Sequence, residues 1–242
     1  MTNFKPMKDY LCFLFDILNS KYHFKSPFLD AGAGIGDFSL YLGKKGFSGD
    51  AVDISKEALK IARKNLKKYP IKVILKDVIK IKKKYKTIVA FDVVEHIEKD
   101  YYFIKKLSEK LATESYIILT TPNNPKEWSW DDEFYGHVRR YTPERIKQIL
   151  KENRIELMCL WDFTFPFFWM MRRISLKLLK PRKTTLSKLE LTKKSTLNQY
   201  WSTGLFSRII NDFPLWPCLF WIQFLFRKAG IGHEIIIVGR KK

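Results

Sequence analysis

From Ser26 onward, short apolar runs rich in β-branched residues alternate with stretches whose apolar positions recur at helical spacing. That rhythm predicts a parallel sheet covered by helices on both faces. A first strand ends at Phe28-Leu29-Asp30, and the glycine loop Gly32 to Gly36 leads into a helix at about Phe38–Lys45. A second strand ends at Ala51-Val52-Asp53, after which Ser55 caps a helix over Lys56–Tyr69. Lys72–Leu75 reads as strand three, Thr87–Phe91 as strand four, Asp100–Leu111 as a helix and Tyr116–Thr120 as strand five. Thr142 with Pro143 behind it opens a helix over Glu144–Leu150, because proline suits a first helical turn. Ile155–Trp161 is a sixth strand, and HEIIIV, His233 to Val238, a seventh.

Two stretches fall outside this rhythm. Residues 1–25 carry Asp9 and Asp16 inside their apolar part and have no small-residue cleavage site, so they read as an amphipathic helix rather than a secretion signal. Residues 162–232 hold 12 Lys and Arg against 3 Asp and Glu, and 14 of the chain's 37 aromatics, which marks them as an insertion. Within it, Arg172–Lys194 is basic and polar enough to be a mobile loop, with aromatic blocks on either side. The expected organisation is therefore an N-terminal helix (1–25), a core (26–161 plus 233–242) and an insertion (162–232). The longest uncharged run, FPLWPCLFWIQFLF at Phe213–Phe226, is too short as a helix for the ~30 Å hydrocarbon core of a bilayer and contains two prolines.

Composition narrows the partners. The 46% apolar and 15% aromatic content fits a folded chain, and Cys12, Cys159 and Cys218 are too few and too scattered for a disulfide scaffold or a zinc cage. A reducing, cytoplasmic compartment is expected. The net charge of +20 draws nucleic acid, anionic lipid or anionic substrates without choosing among them.

The chemistry concentrates at strand ends. In Asp30-Ala31-Gly32-Ala33-Gly34-Ile35-Gly36, small residues let the backbone turn tightly and approach a ligand beside a helix N-terminus. A dinucleotide fingerprint would need a third glycine where Asp37 stands, and that carboxylate would repel a pyrophosphate. Asp30 instead suits a cationic group such as an α-ammonium. Asp53, some twenty residues on, is placed to accept both hydroxyls of a ribose. Asp77 and Phe91-Asp92 end the next two strands, so acidic residues gather at the carboxyl ends of neighbouring strands, where open α/β sheets bind ligands.

On these motifs the chain, from about Phe28 to Phe163 plus the last strand, resembles the class I S-adenosylmethionine-dependent methyltransferases, in particular the branch with the ubiquinone-biosynthesis O-methyltransferases. The resemblance implies a Rossmann-like doubly wound α/β sheet of seven strands, order 3-2-1-4-5-7-6, with an antiparallel last hairpin and the insertion beside the substrate mouth. It implies S-adenosylmethionine as cofactor. Asp30 and the glycines Gly32, Gly34 and Gly36 would then lie near its methionine part, Asp53 at the ribose, Ile54 against adenine, Asp77 at the adenine amine, and Phe91 and Asp92 on the sulfonium side. Lys86 departs from the family, which often opens strand four with an aspartate.

Methyl transfer needs the acceptor lone pair in line with the methyl, and a general base matters mainly for hydroxyl acceptors. His137, in Tyr135-Gly136-His137-Val138-Arg139-Arg140-Tyr141 between strand five and the next helix, is either that base or a histidine bracing the loop. Arg139 and Arg140 either bind a substrate phosphate or carboxylate or form a surface pair. His96 reads as structural, and no metal site is expected. The tetrad of amino-methylating nucleic-acid enzymes is absent after strand four, where Phe91-Asp92-Val93-Val94 stands. In the insertion, the aromatic block Phe163–Met171 with Arg172, Arg173 and Lys177 behind it suits an anionic membrane surface, with a cap over the site or a dimer contact as the alternatives. The reading is a peripheral, cytoplasmic methyltransferase for a hydrophobic or lipid-linked small molecule, by O-methylation. The alternative is an RNA-directed methyltransferase or RNA-binding protein of the same fold; blocks such as PFFWMM argue against nucleic acid, because stacking platforms space their aromatics singly.

Overall fold

Phe28–Ala31 (β1) is buried along its whole length, as a strand covered on both faces must be, and it is an interior strand of a seven-stranded sheet. In the computed structural model, residues 5–179, 187, 190–192 and 211–242 are described. The elements run α1 (Lys5–Tyr22), β1, α2 (Asp37–Lys44), β2 (Gly49–Asp53), α3 (Lys56–Leu66), β3 (Ile71–Leu75), β4 (Tyr85–Phe91), α4 (Asp100–Lys110), β5 (Leu111–Pro122), α5 (Trp130–Tyr135), α6 (Pro143–Glu152), β6 (Ile155–Asp162), α7 (Phe167–Leu178), α8 (Trp216–Leu225) and β7 (Glu234–Lys241). Strand order is β3-β2-β1-β4-β5-β7-β6. The strands from β3 to β5 pair in parallel and β7 runs antiparallel to both β5 and β6, which is the order and hairpin that the resemblance implies.

Local signals explain most helix starts. Ser55 accepts from Ala58 N at the head of α3, and Thr142 accepts from Arg145 N at the head of α6, with Pro143 in its first turn. Helix α5 was not expected from the pattern; it starts in a capping box, where Ser129 and Asp132 bond each other's backbone, and ends at Gly136 in the left-handed conformation. Two 3-10 turns, Val78–Lys80 and Val94–His96, follow β3 and β4 directly.

Two apolar layers flank the sheet. One joins the α4 and α6 faces, with Phe103, Leu107 and Ile149, to the sheet residues Ile88, Ile117 and Ile237. The other is built on α1, whose Tyr10, Leu14, Phe15 and Leu18 are fully buried, and it takes in Phe38 and Leu59 as well as Phe163, Phe168, Trp216 and Phe220 from the insertion. Tyr10 is its hub, with ring centroids 6.0 Å from Phe163, 5.7 Å from Phe168 and 5.2 Å from Phe220. Aromatic pairs at such separations add roughly 0.5 to 1.5 kcal/mol each beyond the area they bury.

The insertion departs from expectation in two ways. Arg172 to Leu178 is helical rather than a loop, held by the buried Arg172 and by Leu176 against α5, and Leu179 ends the helix; the rest of the stretch to Lys194 lies largely outside the described residues. Arg172 is also not a surface cation. It is buried and bonds Asp131, Glu127 and Asp132, three acids contributed by α5 and the turn before it. At the base of the insertion, Asp162 at the end of β6 accepts from Gly232 N at 2.7 Å and from Thr164 N and Phe165 N at 3.1 Å. A side chain at Gly232 would meet the Asp162 carboxylate at 2.0 Å, so the two ends of the insertion are held at one narrow neck.

Candidate functional site

A cavity of about 310 Å³ opens at the carboxyl ends of β1, β2, β3 and β4. Its floor is the β1–α2 turn. Gly32 and Gly34 hold φ of +82° and +54°, which L side chains rarely adopt, and a Cβ on Gly32 would sit 2.5 Å from Val93 Cγ2. The turn is clamped by Asp53, whose carboxylate accepts from Gly34 N at 2.8 Å and Ser55 N at 2.7 Å. Asp53 therefore shapes the loop while its edge faces the cavity.

Asp30 lies deeper. Its carboxylate accepts the Ser39 hydroxyl at 2.6 Å, and burial pushes it up to about 7 against that hydrogen bond. Ile54 stands half-exposed on the wall, and Asp77 accepts from Ile79 N at 3.0 Å, which turns the 3-10 helix behind it. Phe91 packs edge-on against Phe38 at 4.6 Å. Asp92 is in the left-handed region with φ of 53°, held by the Thr120 hydroxyl, which donates to Asp92 Oδ1 at 2.7 Å and accepts from its N–H at 3.1 Å. Backbone in that region costs free energy and is kept where surroundings over-determine it.

Of the residues singled out in the sequence, Asp30, Gly32, Gly34, Asp53, Ile54, Asp77, Phe91 and Asp92 all line this one cavity. Gly36 does not. It caps α2 at φ of 80°, with Ala62 and Leu66 3.1 Å from where its Cβ would be, so it serves helix packing. Further lining residues had no local signal. Lys8 of α1 reaches the cavity and pairs with Asp37, Thr192 enters from the insertion, and Val93, His96 and Ile97 come from the turn after β4.

Beyond the Asp92 end, histidines cluster. His96 lines the cavity and His137 does not; the two rings lie 4.9 Å apart. Burial, with His137 beside it, drives His96 down to about 3, so it is neutral at ordinary pH. His137 Nδ1 donates to Asp132 at 2.8 Å, which leaves Nε2 facing Glu95 Oε1 at 4.0 Å. Glu95 is fully buried; its other oxygen accepts from Thr121, Oε1 has no hydrogen-bond partner among the described residues, and burial with Asp92 nearby raises its pKa. Although the sequence suggests no metal site, Glu95, His96 and His137 bring one ligand atom each within 4.8 Å of one another, a spacing suited either to relaying a proton or to holding a divalent ion.

The two arginines are placed differently. Arg140 is buried and donates to Asp132, Asn123 O and His233 O, so its guanidinium ties β7 to the loop before α6. Arg139 pairs with Asp100 at 2.7 Å and donates to Glu98 O. Neither lines the cavity.

Compared with known families, residues 4–158 match the methyltransferase domain family. The chain belongs to that family. This methyltransferase is 31% identical over 99 residues to the ubiquinone biosynthesis O-methyltransferase of Pelagibacter ubique (strain HTCC1062), a match that covers 39% of the chain and 41% of the relative's length. Among solved structures it is similar to magnesium protoporphyrin IX methyltransferase from Synechocystis PCC 6803 with bound SAH, at TM-score 0.57 and 13% identity over 98% of this chain and 83% of the other. It is also similar to the [4+2]-cyclase SpnF, at TM-score 0.59 and 12% identity over 95% and 80%. That a cyclase shares the architecture makes the structural likeness a statement about fold alone.

Proposed function

We propose that this methyltransferase uses S-adenosylmethionine to methylate an oxygen of a hydrophobic or lipid-linked small molecule. The cavity suits that cofactor: Gly32 leaves a cradle that a Cβ would fill, the buried Asp30 carboxyl favours a cationic group, and Asp53 and Asp77 supply acceptors along the rim. When bound, the cofactor supplies an activated methyl group. The chain's own residues position the acceptor and handle its proton.

The observation that carries the choice of oxygen is the Asp132–His137 pair beside cavity-lining His96 and buried Glu95. A hydroxyl must lose a proton on methylation. The Asp132 carboxylate fixes the His137 tautomer so that Nε2 is the basic nitrogen, and Glu95 Oε1 stands next in line. The relative's name, an O-methyltransferase, agrees. Support for a hydrophobic acceptor comes from the aromatic insertion, whose Thr192 reaches the cavity beside His96.

The test is incubation of the protein with isotope-labelled methyl donor and, separately, with lipid extract, small phenols and total RNA. Label is expected in lipid-soluble products and lost in Asp53→Ala. Label in RNA alone would replace this reading with the nucleic-acid one, and label on nitrogen or carbon would remove the role given to His137.

A further inference from the structure

The uncharged run at Phe213–Phe226 holds helix α8, and among the described residues only one of its faces is covered. Trp216, Phe220 and Gln223 are buried against α1 and α7, and Gln223 ties the helix down by donating to Phe163 O at 3.0 Å and accepting from Phe167 N at 3.2 Å. The opposite face should be polar on a surface helix. Instead it presents Trp221 at 59% exposure and Leu225 at 73%, with Ile222 between them. The adjoining α7 repeats the pattern, with Met170, Ile174 and Leu178 exposed at i, i+4 and i+8. The two helices touch through Phe168 and Trp216, whose ring centroids lie 5.6 Å apart.

We propose that the outer faces of α7 and α8 seat this protein on an anionic lipid surface, with the helices lying in the interface. No described helix is long and apolar enough to cross a membrane, and α8, at ten residues, reaches only about half of a hydrocarbon core. An interfacial helix needs an apolar face with cations at its margin. Lys177 is exposed on α7 beside Ile174 and Leu178, and Arg227 and Lys228 follow α8 directly. These charges also choose between occupants. A second copy docked on the same face would set like charge against like charge across a two-fold contact, whereas an anionic headgroup layer complements them. The inference stands apart from the identity of the methyl acceptor, because it concerns where the protein sits and is read without turnover.

The experiment is co-sedimentation of the full chain with vesicles of phosphatidylcholine alone and of phosphatidylcholine with phosphatidylglycerol, at low and high salt. The wild type is expected to pellet with the anionic vesicles and to be released by salt. Trp221→Ser with Leu225→Ser should lower partitioning about 100-fold on both vesicle types, since each side chain removed takes away a full burial contribution. Lys177→Gln combined with Lys228→Gln should cost about 5-fold per charge on anionic vesicles and nothing on neutral ones. Trp221→Phe keeps the apolar area; it should bind like the wild type and lose part of the fluorescence quenching by bromine-labelled acyl chains. Wild type that stays in the supernatant with anionic vesicles at low salt overturns the proposal. So does a dimer that Trp221→Ser with Leu225→Ser dissociates, or a fall in the melting temperature of that variant without change in vesicle binding, because the face would then be covered by protein.

Discussion

Asp132 accepts from His137 Nδ1 at 2.8 Å and bonds Arg140 Nε through the same carboxyl group, at 2.9 Å from one oxygen and 3.0 Å from the other. One buried acid thus aims the imidazole and anchors the loop that carries it. Burial would raise the Asp132 pKa, but His137 and Arg140 outweigh it and hold the carboxyl below its usual range. His137→Ala is therefore expected to leave the fold and cofactor affinity almost unchanged while lowering turnover on a hydroxyl acceptor ~100-fold or more. Steady-state kinetics beside calorimetry of cofactor binding checks this; equal loss in both would assign His137 to bracing the loop.

Gly32→Ala should abolish cofactor binding. Its Cβ would meet Val93 Cγ2 at 2.5 Å on a backbone at φ of +82°. Adding Val93→Ala relieves the contact but not the conformation, so the double variant is expected to recover only part of the affinity, with about 1 kcal/mol of strain remaining. Full recovery would mean that the left-handed turn is not needed.

Asp30 predicts a pH dependence. Its ordinary value is 3.8 and burial lifts it to about 7 in the fold. A raised acid contributes stability that is full below the unfolded value and is lost as pH climbs through the folded one. Relative to Asp30→Asn, the wild type should lose stability between about 3.8 and about 7 and then level off, as thermal melts across pH would show. A cationic ligand beside Asp30 favours the charged form, so affinity should rise over the upper part of that window. Calorimetry in buffers of different ionisation heat should detect the released proton, and Asp30→Asn should release none.

Arg172→Ala leaves Glu127, Asp131 and Asp132 facing one another without their shared cation. Breaking a buried ion cluster in this way costs about 3 to 5 kcal/mol, whereas Lys177→Gln on the exposed side of the same helix should change stability by less than about 0.5 kcal/mol. Denaturant unfolding of the two variants separates the roles of two cations that look alike in sequence.

That resemblance is resolved only by tertiary packing. The lining of the cavity was legible because it is local: Asp30, Gly32, Asp53, Asp77 and Asp92 each end or follow a strand, and parallel pairing alone gathers strand ends. Lys8 and Thr192 were not, since they come from opposite ends of the chain and meet the cavity only through packing of α1 and the insertion. Arg172 reads as a surface cation because nothing near it in sequence indicates that α5 and the turn before it set three acids opposite. Helix α5 itself, only six residues long, has no apolar period to detect and rests on its caps. In sequence His96 reads as a structural histidine, and its place on the cavity wall depends on the tight turn after β4.

The neck between Asp162 and Gly232 has a consequence for how such a protein can vary. The strand that enters the insertion and the one that leaves it are neighbours, and their register is already closed by β6–β7 pairing and by the 2.7 Å bond at the base. For closing the chain at that neck the length beyond it matters little, since doubling a loop's length costs only about 0.6 kcal/mol in closure entropy. Closure at the neck thus sets only a weak limit on length; the stronger limits are the packing of Phe163, Phe168, Trp216 and Phe220 around Tyr10 and the reach of Thr192 into the cavity, so a shorter or longer recognition element could be mounted there only if it kept those contacts.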